Sequence, residues 1–197
     1  MDLGAQLHHA ALRVYVMGQR GADRAPATAD DIATMRALTA EAVRAGALGF
    51  SSSRTLNHRS SKGAPTPSLQ AELDELLGIA SGLRDAGAGV IEMISDFEDL
   101  DREFANLEAM VRESGRPMSI SLAQGSNPHG WRKLLGRIEA ANAKGLAMRG
   151  QVAPRGIGIL LGHRTTLNPF STRASYKEIA DLPLDARLRA LGAAPQQ

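Results

Sequence analysis

Short apolar runs alternate with longer amphipathic segments along this chain, and this alternation constrains the fold more than any other feature. The longer segments repeat apolar residues at helical spacing, whereas the runs are short enough for buried strands. A regular succession of strand and helix favours a parallel sheet whose crossovers are right-handed. We predict strands at residues 12–17, 47–50, 90–94, 118–122 and 146–152.

The segments between these runs predict helices. The first begins at Thr28-Ala-Asp-Asp31, which has the form of a capping box with Asp in place of the usual Glu or Gln. It ends near Gly46, where a left-handed residue closes a helix. Further helices are predicted at residues 69–83, 97–113 and 128–144, and short ones near residues 175–180 and 184–191.

The number of strands bears on how the sheet closes. Five β/α units fit either an open doubly wound sheet or part of an eight-stranded barrel. No Gly-x-Gly-x-x-Gly follows a predicted strand, which weakens a nucleotide-binding interpretation. A complete barrel needs about 250 residues, so five strands fall short of one by about three. We expect a single partial barrel domain over residues 1–197, with an irregular tail at 156–197.

Composition argues against several classes of protein. Without cysteine the chain can form neither disulfides nor thiolate metal sites. Its 23 basic and 21 acidic residues are mixed along the sequence, without the basic block interleaved with aromatics that a nucleic-acid surface prefers. No apolar run approaches the roughly 20 residues of a membrane span, and no signal peptide opens the chain. We expect a cytoplasmic protein that binds neither nucleic acid nor membrane.

A polar stretch at residues 51–59 follows the second predicted strand and contains the first candidate site. In α/β proteins the loops after parallel strands build binding sites. Arg54 could hold a substrate carboxylate in a bidentate fork, and His58 and Ser52 could hydrogen-bond a substrate. The alternative is a solvated loop in which Arg54 caps the chain. A serine nucleophile is not expected, because no base partner and no Gly-x-Ser-x-Gly elbow is evident.

Other candidates lie at or just past the ends of later predicted strands, where the catalytic and binding residues of barrel proteins lie. Glu92 flanks Met93 in a strand of period two, so its side chain could instead point towards the helices. The full set of predicted substrate-binding residues is Ser52, Arg54, His58, Glu92, Gln124, Gln151 and Arg155.

An ordered set of short motifs resembles one family across essentially the whole chain. The set begins with His9-x-x-Leu-Arg13 and continues through Ala45-Gly-Ala-Leu-Gly-Phe-Ser-Ser52 to Gln151-Val-Ala-Pro-Arg155. It resembles the middle of an N-acyl-D-amino-acid deacylase of the amidohydrolase superfamily. The resemblance implies a (β/α) barrel carrying a small β-sandwich, which hydrolyses N-acyl amides of small molecules, commonly with zinc. In that chemistry the metal activates water and polarises the carbonyl while a carboxylate moves the proton.

Departures from the family pattern predict that this chain lacks the metal. Met93 and Leu122 stand where the family has ligand histidines, and Gln124 replaces a frequent lysine. Neither a thioether nor an isobutyl group is a good ligand for a borderline divalent cation. The family's first metal pair and its late aspartate have no counterpart here. We therefore expect an internal segment of a barrel, without bound cofactor, that is inactive by itself.

Two other functions remain open. One is a non-enzymatic protein, a pseudoenzyme or assembly module that keeps the fold without the metal. The other is a metal-independent hydrolase using Arg54, His58 and Glu92. In either case the two open edges of a partial barrel favour self-association.

Overall fold

The computed structural model of the chain describes residues 3–124, 128–156, 158, 160–165 and 168–193. They form two compact units, one from residues 1–58 and 65–154 and the other from residues 59–64 and 155–197. The second unit contains α7 (Ala174–Lys177) and α8 (Leu184–Ala193). Their bounds are similar to those of the two short helices that the sequence predicts. The first unit contains the sheet.

The five strands described in the first unit form one parallel sheet. They lie side by side in chain order, each beside the strand that precedes it. This is the winding of a barrel, whereas a doubly wound sheet reverses its order at a switch point. The predicted partial barrel of parallel strands is confirmed. The strands are β1 (Leu7–His8), β2 (Gly49–Arg54), β3 (Val90–Ser95), β4 (Met118–Ser121) and β5 (Met148–Gln151).

Helices occupy the connections between these strands, as the sequence predicts. The capping box is present: the Asp31 backbone N–H donates to the Thr28 hydroxyl oxygen at 3.2 Å, and the Thr28 N–H donates to the Asp31 carboxylate at 2.8 Å. The helices of this unit are α1 (His9–Met17), α2 (Gln19–Ala22), α3 (Ala29–Arg44), α4 (Leu73–Ala86), α5 (Leu100–Ser114) and α6 (Gly130–Ala143).

The predicted strand at residues 12–17 is wrong, because these residues belong to helix α1. Their β-branched and aromatic side chains favour a strand locally. In the structure Leu12 and Met17 are buried, while Tyr15 is 80% exposed. Burial of the helical face of α1 therefore overrides local propensity, and the first strand is the two-residue β1 just before it.

The second strand also differs from its predicted bounds. It begins at Gly49 and continues to Arg54, so the serines predicted to lie in a loop belong to β2. Glycine is required at its start, because a Cβ at Gly49 would lie 1.9 Å from the Val90 carbonyl oxygen. The consequence for the site is that the side chains of residues 51–54 alternate between the two faces of the sheet.

One face of the sheet is covered and the other is open. Ile91 and Met93 of β3 are fully buried in the same apolar cluster as Leu76 and Leu107 from the helices. Glu92 lies between them in the strand and is partly exposed on the opposite face. The open face carries polar side chains, namely Ser51, Ser53, Glu92, Ser119, Ser121 and Gln151.

Candidate functional site

A small cavity of about 210 Å³ lies on the open face of the sheet. Its walls include Ser53 from β2, Glu92 from β3, Ser121 from β4 and His58 from the turn after β2. Parallel strands place their carboxyl ends at one edge of the sheet, which is why residues distant in sequence meet there. Three of the predicted site residues, Ser52, His58 and Glu92, line this cavity.

Ser53 and His58 are hydrogen-bonded. The Ser53 Oγ lies 2.7 Å from Nδ1 of His58. The serine is 3% exposed, whereas the imidazole is exposed. Sequence reasoning did not find this pair, because it placed Ser53 in a loop after Phe50, whereas β2 continues to Arg54.

The turn that carries His58 is anchored by Asp96 at the end of β3. The Thr55 hydroxyl donates to Asp96 Oδ1 at 2.5 Å, and the Leu56 N–H donates to Oδ2 at 2.8 Å. Within the turn, the His58 N–H donates to the Thr55 carbonyl oxygen at 3.4 Å. A single carboxylate thus fixes the segment between β2 and the imidazole.

A larger cavity of about 560 Å³ adjoins the small one, since Ile94 and Ser121 line both. Its apolar wall includes Phe97, Leu100 and Trp131. Phe97 has a φ of +51°, an unfavourable conformation for a residue with a large side chain. A cavity of this size with a few polar groups is typical of a small-molecule site.

Arg54 lies beside this region, and each of its three guanidinium nitrogens donates a hydrogen bond within the protein. Its guanidinium pairs with Glu103 of α5 through two bonds of 2.8 and 2.9 Å and donates to the Ala71 carbonyl oxygen at 2.8 Å. The hydrogen bond from Arg54 lowers the pKa of the Glu103 carboxyl below its ordinary value. The geometry matches the capping alternative stated for Arg54, while its substrate role stays a prediction.

Ser52 faces the helices and belongs to a buried polar cluster that sequence reasoning missed. Its Oγ lies 2.7 Å from His9 Nδ1, and His9 Nε2 lies 2.7 Å from Glu75 Oε1. Arg13 Nε lies 3.4 Å from the same carboxylate oxygen. Burial lowers the pKa of His9, although Glu75 opposes that shift. The sequence signal was the spacing of His9 and Arg13, which places both on one face of α1.

The remaining predicted residues do not line either cavity. Gln151 accepts a hydrogen bond of 2.9 Å from the Ser119 hydroxyl on the open face of β4 and β5. Gln124 is exposed beyond the end of β4. Arg155 belongs to the second unit, where it is exposed and donates to the Gly156 carbonyl oxygen at 3.4 Å. Their predicted roles in substrate binding are not tested by this geometry.

Comparison with known families matches residues 1–195 to the amidohydrolase family. The chain belongs to the amidohydrolase family. Among solved structures, two D-aminoacylase structures are 28% identical with a TM-score of 0.59, one of a variant with copper chloride and one on the role of the binuclear metal centre. A third D-aminoacylase structure, described as defining a novel subset of amidohydrolases, is 27% identical with a TM-score of 0.57.

This amidohydrolase chain is shorter than those relatives. Each comparison covers 75% of this chain and 29% of the solved one. A comparison with curated proteins found no match. Among the described helices, none has the length and apolar character needed to cross a membrane.

The described residues of this amidohydrolase do not fit a metal centre. Across those parts of the chain, no group of three or more His, Cys, Asp or Glu side chains is arranged to hold an ion. Met93 and Leu122, which the resemblance predicts to replace ligand histidines, are buried in the apolar core. The isobutyl group of Leu122 also lies near Gly150, where a Cβ would be 2.9 Å from it. These two positions therefore serve packing here.

Proposed function

We propose that this chain forms the substrate-binding wall of an amidohydrolase barrel that cleaves the C–N bond of N-acylated small molecules. The observation that carries the proposal is the pair of adjoining cavities at the carboxyl ends of β2, β3 and β4. One is large and partly apolar and the other is small and polar. An N-acyl amide has the same division, since an apolar group flanks a polar amide.

The larger cavity would hold the apolar part of the substrate. Phe97, Leu100 and Trp131 offer surface that an acyl chain or apolar side chain can bury. The amide would then lie towards Ser121, which lines both cavities. Lys133, also at the larger cavity, has no ion-pair partner among the described residues and would attract a substrate carboxylate.

Amide hydrolysis needs activated water as well as binding, and the described residues do not supply a metal for it. We therefore propose that this chain by itself binds N-acyl compounds but does not turn them over. Zinc is commonly used by the family that the sequence resembles, and the D-aminoacylase relatives include one with a binuclear metal centre. The activity would belong to a longer protein that contains this segment.

A second candidate function is a non-enzymatic one, in which the fold serves binding or assembly. It is favoured by Met93 and Leu122, whose burial makes the loss of ligands compatible with a well-packed core. Both functions predict a chain without stoichiometric zinc. They differ in whether N-acyl compounds bind.

The chain's single tryptophan allows a direct test, because Trp131 lines the larger cavity. We expect N-acyl amino acids to change the tryptophan fluorescence saturably, and we expect the substitution Phe97→Ala to weaken that response. Phe170→Ala, which removes an exposed aromatic ring in the second unit, is the matched control. An absence of any saturable response across short and long acyl groups would favour the non-enzymatic function.

Elemental analysis of the purified chain completes this test. We expect zinc well below one ion per chain after refolding with excess zinc and desalting. Stoichiometric zinc together with hydrolysis of N-acyl amino acids would show that the assignment of Met93 and Leu122 as replaced ligands is wrong.

A further inference from the structure

We propose that Ser53 is a nucleophile activated by His58, and that it accepts an acyl group from activated esters without a metal. This goes beyond the proposed function, since it needs neither zinc nor any other part of a barrel. It also replaces the metal-independent arrangement predicted from the sequence, in which Arg54 acted with His58 and Glu92.

The distance between the two side chains is that of a nucleophile and its base. With the imidazole proton on Nε2, Nδ1 of His58 accepts the Ser53 hydroxyl proton across 2.7 Å. Both groups line the small cavity on the open face. A hydroxyl is a weak nucleophile unless a neighbouring base takes its proton as it attacks.

Asp96 acts as a positioning residue for this pair. It holds the Thr55 hydroxyl and the Leu56 N–H, and the turn from Thr55 leads directly to His58. Its carboxylate reaches the turn from the end of β3, so the imidazole is held by two strands rather than by a free loop. Such support is what keeps a base within hydrogen-bonding distance of its nucleophile.

Two further groups in the cavity complete the arrangement. The Ser121 hydroxyl has no hydrogen-bond partner among the described residues and is free to donate to a carbonyl oxygen that becomes negative. The Glu92 carboxylate likewise has no partner in the described chain. It lines the same cavity as Ser53 and His58.

The reaction balances with water as the only co-reactant. The Ser53 O–H bond breaks, its proton moves to Nδ1 of His58, and a bond forms between Oγ and the carbonyl carbon. The ester C–O bond then breaks, and the alcohol leaves with the proton from His58. Water next gives a proton to His58 and its oxygen bonds to the carbonyl carbon. The acid leaves as the Ser53 oxygen recovers its proton.

The acyl group of the substrate would occupy the larger cavity. Ser121 and Ile94 line both cavities, so a carbonyl near Ser53 places its chain towards Phe97 and Trp131. We therefore expect esters with an apolar acyl group of several carbons to react faster than acetyl esters. A reaction rate that does not change with the length of the acyl group would show that the acyl group does not bind in the larger cavity.

The test uses an alkyl fluorophosphonate, which forms a covalent bond with activated serines, on the full chain in the presence of EDTA. Intact-mass and peptide mass spectrometry should find a single adduct at Ser53. Ser53→Ala should abolish it. His58→Gln should slow it by about 100-fold, the usual contribution of a general base. Asp96→Asn should slow it less, because it removes only part of the support of the turn.

Ser119→Ala is the matched control, since its hydroxyl is on the same open face but is donated to Gln151. Labelling of Ser119→Ala at the wild-type rate is expected. Labelling of His58→Gln at the wild-type rate, modification of another serine, or no adduct on folded protein would each overturn the inference. Because His58 is exposed, its substitution leaves the core intact.

Failure here is distinguishable from failure of the proposed function. A fluorescence response to N-acyl amino acids without an adduct at Ser53 would overturn only the nucleophile. An adduct at Ser53 without that response would overturn only the proposed binding of N-acyl amides.

Discussion

Arg54 and Glu103 form a bidentate ion pair that joins the last residue of β2 to the first turn of α5, with bonds of 2.8 and 2.9 Å. The pair also ties the segment before α4, because Arg54 donates to the Ala71 carbonyl oxygen. A residue that the sequence offers for substrate binding therefore holds three segments together beside the cavities. Bidentate geometry makes such a pair stronger than a single surface contact.

Removing Arg54 should destabilise the fold. We expect Arg54→Ala to lower the free energy of unfolding by about 2 kcal/mol, because Glu103 and the Ala71 carbonyl lose their donors in a mostly buried setting. Urea denaturation followed by circular dichroism measures this. Arg36→Ala, which breaks the more exposed pair with Asp85, is the control and should cost less. Equal effects of the two substitutions would contradict the structural role of Arg54.

The capping box of α3 should make the free energy of unfolding depend on pH in the acid range. Hydrogen bonds from Arg20 and Thr28 lower the pKa of Asp31 to about 2, from an ordinary value of 3.8. Because the folded value is the lower one, the contribution of Asp31 is complete above pH 3.8 and is lost as the pH falls towards 2. Wild type should therefore be more stable than Asp31→Asn at pH 5, and the difference should disappear near pH 2. A difference that is constant with pH would count against the capping box.

The buried cluster around His9 should be costly to break. His9→Ala leaves the Glu75 carboxylate and the Ser52 hydroxyl without a shared partner in the core. We expect the free energy of unfolding to fall by about 3 kcal/mol, as when a buried polar group loses its partner. His8→Ala, at the neighbouring exposed position, is the control. A similar loss in both variants would show that the cluster does not stabilise the fold.

The same cluster predicts a pH dependence near neutrality. Burial lowers the pKa of His9 below its ordinary value of 6.5, so the unfolded chain takes up the proton more readily than the folded one. Stability should therefore fall as the pH drops below 6.5. Comparing urea midpoints at pH 7.5 and 5.5 in wild type and His9→Gln isolates this effect, since only wild type should show the His9 contribution.

The outer edge of β5 should control self-association. The Asn142 side chain donates to the Met148 carbonyl oxygen at 2.8 Å and accepts from the Met148 N–H at 3.3 Å, in place of a neighbouring strand. Free strand edges pair with other chains. We propose that the chain self-associates through its edges, and we expect Asn142→Ala to increase this in size-exclusion chromatography with light scattering. A monodisperse, cooperatively unfolding monomer in both proteins would overturn the proposal.

Much of the fold was predictable because the apolar residues that become buried recur along the chain at regular spacings. Apolar residues recur at helical spacing in α4 and form a short run in the strand that begins at Val90. The kind of secondary structure at both places therefore follows from the sequence. Helix α1 was mistaken for a strand, because Val14, Tyr15 and Val16 favour strands until their neighbours decide which face is buried. Local propensity could not supply that decision.

The candidate site was predictable only in part. Polar residues at strand ends pointed to His58 and Glu92, which line one cavity in the structure, and their role in substrate binding stays a prediction. Ser53 rather than Ser52 contacts His58 because β2 ends at Arg54, four residues later than predicted, so both serines belong to the strand. When a strand extends further than predicted, residues assigned to a loop belong to the strand instead. The pleat of the strand then decides which face of the sheet each side chain lies on.

The sequence by itself determined the alternation of strands and helices, the capping box of α3 and membership of the amidohydrolase family, because these depend on short-range spacing and ordered motifs. The tertiary structure alone decided that Arg54 pairs with Glu103, that His9 is buried against Glu75, and that Ser53 meets His58 beside Glu92. Those contacts join residues on different elements. Their distances follow from how parallel strands align their carboxyl ends and how helices pack against one face, which no local pattern specifies.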